Sequence, residues 1–173
     1  MLEASAWRAL SGDLTLRPAN WRAAGIAVVF AIVGVTGFIL MLDALLFRQH
    51  LTPDYVRFFT SPLIPRLPVF SLISAIDEFK YRLLLMTALV ALQKVLFGKM
   101  TPTSFVIAIV LSQLVNVGVF VLADPVYAAL RYWAVGCVWG WLYWRHGWLA
   151  AVTGHASCHL LLDPLLMQVL LHS

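Results

Sequence analysis

Charge is the scarcest commodity in this sequence. Asp, Glu, Lys and Arg make up 12% of its 173 residues, about half the share of a soluble domain, so a water-facing globular surface is excluded. Cysteine is almost missing: Cys137 and Cys158 form no CxxC and no zinc-finger spacing, which argues against a disulfide scaffold or a structural zinc module. Both lie in apolar runs and read as small buried residues. Internal repeats, low-complexity tracts and linkers are absent too. Residues 1–22 mix Trp7, Arg8, Gly12, Asp13, Arg17, Pro18, Trp21 and Arg22 without an apolar signal-peptide core, so they are expected to lie at the membrane interface, with insertion directed by the first membrane helix.

What is abundant is apolar. Hydrophobic residues make up 62% of the chain and mean hydropathy is +0.88, the profile of a polytopic membrane protein. The net charge of +4 comes from basic residues near the ends of apolar runs, which suits contact with the lipid bilayer and its anionic headgroups and gives no nucleic-acid footprint.

Five membrane helices are predicted. The first covers 23–47 and carries Asp43 close to its interfacial end. Residues 48–69, with Pro53, Pro62, Pro65 and Pro68, are expected to form a loop with one interfacial turn at most. The second helix runs from about Phe70 to Phe97, the third over 103–123, the fourth over 126–144 and the fifth over 148–171, kinked at Pro164. The Trp and Tyr residues of 132–148 are read as an interfacial girdle. With the N-terminus inside, six basic residues (Arg8, Arg17, Arg22, Lys94, Lys99, Arg145) face the cytoplasm against four (Arg48, Arg57, Arg66, Arg131) on the other side, a lean in the direction of the positive-inside rule.

The stretch SLISAIDEFKYRLLLMTALVAL, residues 71–92, places Asp77, Glu78, Lys80 and Arg82 inside an apolar run. An Asp, Lys or Arg at a membrane-helix centre costs roughly 2.5–3.5 kcal/mol, so the cluster needs either a function or a headgroup-level position. Glu78 and Arg82 are i,i+4 on one helical face, which ties one carboxylate and leaves Asp77 free. Two further polar sets follow: Ser112 and Asn116 on the third helix, and His155 and His159, i,i+4, on the fifth, with Asp163 one turn beyond. Lipid offers such groups no partner, so the three sets are expected to turn inward and meet.

The order of these motifs resembles the CPBP family, also called the Abi or CAAX-protease-and-bacteriocin-processing family. Its pattern is Glu-Glu-x-x-x-Arg, then Phe-x-x-x-His one helix later, then His-x-x-x-Asn/Asp. Here Asp77-Glu78-Phe79-Lys80-Tyr81-Arg82 keeps the second acid and the Arg and shortens the first acid. His155-Ala156-Ser157-Cys158-His159 keeps the leading His and has His for Asn, while Ser112 and Asn116 stand where Phe and His are expected. Gly136, Gly140, Tyr143, Arg145, Gly147 and Leu149 lead into the last motif as in family members. The likeness covers roughly residues 65–170.

The resemblance implies an all-α integral membrane protein: a single bundle of about five transmembrane helices, with residues 1–64 as interfacial segment, first helix and Pro-rich loop, and 65–173 as a CPBP-like core. It implies a glutamic-type intramembrane endopeptidase in the bacterial cytoplasmic membrane, acting on a membrane-anchored peptide or lipidated protein. Carried over, Asp77 is the general base, Asn116 positions the water, His155 and His159 donate to the oxyanion, and Glu78 and Arg82 form the supporting ion pair; Glu78 is an alternative base. Judged on chemistry alone, a desolvated carboxylate with imidazole N–H groups suits peptide hydrolysis. No cofactor is expected on that reading. Two alternatives stand beside it: a divalent metal such as zinc on His155, His159 and Glu78, and a non-catalytic relative that binds a membrane partner.

Overall fold

The computed structural model describes residues 14–117 and 124–172; those described residues are all-helical, with no strand among them. Helix α1, Trp21–Met41, continues through a π-helical turn, Leu42–Leu46. Asn20 caps it, its side chain accepting from the Ala23 N–H at 3.0 Å. Trp21–Leu46, with a mean hydropathy of 2.6 in its apolar 18-residue window, is long and apolar enough to cross a membrane.

Residues 48–69 are not the expected loop. Helix α2, Pro53–Thr60, starts with proline at its first position behind a Thr52 cap, where the missing N–H costs nothing. After a 112° bend, α3 spans Leu63–Phe97, about seven residues earlier than predicted, as the α-helix Leu63–Asp77, the π-helical stretch Glu78–Met86 and the α-helix Thr87–Phe97. Pro65 falls in its first turn, where N–H groups have no intrahelical partner; only Pro68 lies inside.

Helix α4 is Pro102–Val117; the last six residues of the predicted third helix, 118–123, lie outside the described residues. Helix α5 covers 125–146, with a π-helical stretch, Ala129–Ala134, in its first half, and α6 is Trp148–Leu171, continuous through Pro164. Between them Gly147 adopts φ +89°, and a Cβ there would sit 2.9 Å from the Thr15 carbonyl oxygen. That approach lets the Trp148 and Leu149 N–H groups donate to Thr15 and Leu16 carbonyls at 2.9 and 3.0 Å, satisfying two otherwise orphaned donors of α6.

Helix α6 is the hub, with α1, α3 and α5 packed around it, while α4 closes the far side against the middle of α3 and against α5. The interior is apolar, with Trp139, Leu142, Tyr143, Met86, Leu162 and Leu166 almost fully buried. Trp139 and Tyr143 were expected in an interfacial girdle; Tyr143 instead pairs its hydroxyl with Thr87 at 2.8 Å inside the bundle, since a buried phenol needs a partner. Outward faces carry Phe30, Leu45, Ile64 and Val95, each more than 70% exposed.

Candidate active site

Asp77, Asn116, His155 and His159 all line one cavity of about 350 Å³, together with Arg82 and Arg131. Three helices supply the four: α3 the acid, α4 the amide, α6 the two imidazoles. Asp77 is half-buried and makes no hydrogen bond or ion pair with a described residue. Glu78, one position on, is fully buried. Its Oε2 lies 3.2 Å from Arg82 Nε and its Oε1 lies 2.8 Å from His155 Nδ1. With both oxygens engaged and none on the cavity wall, Glu78 is placed to hold groups rather than to meet water.

Arg82 is anchored in turn. Its Nη2 donates to the Gly136 carbonyl at 2.9 Å and to Gln113 Oε1 at 3.2 Å. Asn116 Nδ2 donates to the same Gln113 oxygen at 3.3 Å, so one amide oxygen ties the α4 wall to the buried cation. Gln113 has no place among the sequence-predicted site residues, because it sits one position off the Ser112–Asn116 face. Ser112 is buried behind the wall, its hydroxyl donating to the Ile109 carbonyl at 2.9 Å.

The π-helical stretch Glu78–Met86 opens with this cluster and carries its Arg. Thr87 Oγ1 donates to the Arg82 carbonyl at 3.3 Å, five residues back, occupying an acceptor at its end. Such wide turns are uncommon and gather at functional positions.

His155 stacks on Trp139, ring centroids 5.4 Å apart, and on His159 at 5.7 Å. His159 stacks on Phe70 at 4.2 Å, and its Nδ1 lies 3.1 Å from Oδ1 of the fully buried Asp163. Behind Asp163, Arg66 Nη1 approaches Oδ2 at 3.8 Å, an ion pair too long for a hydrogen bond. A paired carboxylate is acceptor-only, so each Nδ1 carries the proton and turns the Nε2 edge of its ring to the cavity.

Tyr55 and Arg131, which also line the cavity, belong to a polar cluster the sequence does not foretell. Asp43, expected near the interface, is fully buried; its Oδ2 lies 3.3 Å from Arg131 Nε and its Oδ1 accepts from Tyr127 at 2.8 Å. Tyr55 donates to Asp43 Oδ2 and accepts from Arg131 Nη2 at 3.0 Å. Asp43 and Arg131 lie in the π-helical stretches of α1 and α5, which swing them inward. For a metal the donors do not fit: among the described residues no three His, Cys, Asp or Glu groups come together as ligands, and both Glu78 oxygens face protein partners, Arg82 and His155. Cys158 is buried and Cys137 half-buried, both as free thiols.

The type II CAAX prenyl endopeptidase Rce1-like family model matches residues 59–161, more than half of the chain. No curated protein and no solved structure gives a significant match. The matched segment takes in α3, α4, α5 and the α6 turns bearing His155 and His159, the same stretch that supplies Asp77, Asn116 and both imidazoles to the cavity, and the chain belongs to the type II CAAX prenyl endopeptidase Rce1-like family.

Proposed function

We propose that this protein is a multi-pass intramembrane endopeptidase that hydrolyses a peptide bond near the end of a membrane-anchored or lipidated protein. The observation that carries the reading is the Asp77 carboxylate, without a hydrogen-bond partner among the described residues, sharing a cavity with His155, whose imidazole is held at Nδ1 by the buried Glu78. In the proposed reaction Asp77 takes a proton from a water that Asn116 orients. In that step His155 works as the doubly protonated ring, its Nδ1–H held by the buried Glu78 carboxylate at 2.8 Å. Nε2–H of that imidazolium then donates to the oxyanion formed as hydroxide adds to the carbonyl; a donor of this kind is worth roughly 10²–10³ in kcat. Glu78 and Arg82 do not touch substrate and fix the ring.

A bundle of five membrane helices, N-terminus inside, in a bacterial cytoplasmic membrane completes the proposal. It is supported by the apolar outward faces, which in water would be an aggregation surface and in hydrocarbon cost nothing. The test uses purified protein in bilayer vesicles with prenylated peptides ending in CAAX, and cleavage read by mass spectrometry. Cleavage that Glu78→Ala and His155→Ala each abolish is the expected result. Wild-type rates in both variants overturn the assignment, and binding without cleavage points to the partner-binding relative.

A further inference from the structure

We infer that Asp163, backed by Arg66, is a positioning residue that makes His159 a proton acceptor in the cavity, and not the N–H donor that the family resemblance implies for that position. This rests on the endopeptidase reading above and gives His159 a separate task in it. Asp163 is fully buried, and the one hydrogen bond it makes with a described residue is to His159 Nδ1 at 3.1 Å. Its other oxygen faces Arg66 at 3.8 Å, beyond hydrogen-bonding distance, and the terminal nitrogens of Arg66 are themselves buried without a partner. The carboxylate therefore commits its strong acceptor to one ring nitrogen. A neutral imidazole so held has its lone pair on Nε2.

The neighbours of His159 differ from those of His155. His155 is flanked by two acids, Glu78 and Asp77. His159 is flanked by one, Asp163, and faces the His155 ring at 5.7 Å and Arg131 from α5. Arg66 from α3 adds a further positive charge beyond Asp163. Phe70 closes the other face of the ring at 4.2 Å. Two imidazoles stacked 5.7 Å apart repel if both are charged, and the ring held at Nδ1 by Asp163 is the one that offers an acceptor at Nε2.

The proton then has a complete route. Asp77 takes it from water as the hydroxide oxygen bonds to the carbonyl carbon; it passes to His159 Nε2, and from there to the departing nitrogen as the C–N bond breaks. The acid and amine products leave, with the protein's protons where they began. An Asn at 159 has no basic nitrogen to carry that proton.

The deciding measurements are the ¹⁵N spectrum of histidine-labelled protein in detergent at neutral pH and a four-member cycle of Asp163→Asn and His159→Asn assayed on the prenylated peptides. Expected are an Nδ1-protonated neutral His159 in the wild type, lost in Asp163→Asn, and a fall in kcat of about a hundredfold with KM unchanged for each single variant. The double variant should be no slower than His159→Asn alone, because Asp163 acts through the ring. A wild-type His159 that is protonated at Nε2 overturns the inference, as does a His159→Asn variant at full rate or a double variant slower than both singles. If no peptide is cleaved, the endopeptidase reading fails while the tautomer spectrum still decides the Asp163 contact.

Discussion

Glu78 and His155, 77 positions apart in the chain, meet at 2.8 Å with the carboxylate's other oxygen 3.2 Å from Arg82. All that distinguishes Glu78 from its neighbour Asp77 follows from this contact. Glu78→Gln keeps the shape and removes the charge that steadies the imidazolium, so kcat should fall by about 10²–10⁴ on the peptide assay. It also leaves Arg82 buried without its counter-charge, a loss of about 3–5 kcal/mol that thermal unfolding in detergent should register as a lower midpoint.

Asp77 should behave in the opposite way with respect to stability. With no hydrogen-bonded partner among the described residues, its replacement removes nothing that holds the bundle together, so Asp77→Asn should leave the unfolding free energy within about 1 kcal/mol of wild type while abolishing cleavage. Asp77→Glu extends the acid by one methylene into the cavity and should retain activity. An Asp77→Asn variant that cleaves normally would remove the base from the mechanism.

Two glycines with the same look in the sequence should respond differently. A Cβ at Gly136 would fall 2.0 Å from Gln113 Oε1, the atom that receives Arg82 and Asn116, whereas nothing lies within 4 Å of one at Gly34. Gly136→Ala must push Gln113 aside and is expected to cost about 1–3 kcal/mol with a loss of cleavage. Gly34→Ala, in an exposed helix position, should be neutral or slightly stabilising through helix propensity. Parallel melts of the two variants in the same detergent settle the contrast.

The meeting of Asp77, Asn116, His155 and His159 was legible in the sequence because hydrocarbon leaves a polar side chain nowhere to go but inward. Glu78 with Arg82 was legible from helical spacing alone. Other features were hidden for identifiable reasons. Pro65 reads as a breaker, yet in the first turn of α3 its missing N–H has no partner to lose. Asp43 sits near the end of an apolar run, where an interfacial position is the default, and only the π-helical turn at Leu42–Leu46 carries it inside. Gln113 lies one residue off the polar face of α4, and its contact with Arg82 spans 31 positions, a pairing no local pattern encodes. Trp139 and Tyr143 look like interface anchors because aromatic clustering near a helix end has that common cause; their burial depends on α6 packing over them.

The pair Asp43 and Arg131 gives the sharpest test of how the bundle is held. Asp43 keeps two phenol donors, Tyr55 and Tyr127, if Arg131 is lost, while Arg131 keeps one hydrogen-bond acceptor among the described residues, the Tyr55 hydroxyl, and the face of Tyr132 if Asp43 is neutralised. Breaking a buried ion pair from either side is expensive, but the side that strands the less well-solvated ion costs more. Asp43→Asn should therefore destabilise by about 3–5 kcal/mol and Arg131→Met by less, since the carboxylate retains hydrogen bonds worth about 1.5–3 kcal/mol each to a charged group. The double change Asp43→Leu with Arg131→Met removes both charges and should recover part of that loss. Chemical unfolding of the four proteins in one detergent gives the order, and equal losses in the two singles would mean that the tyrosines contribute nothing to holding Asp43.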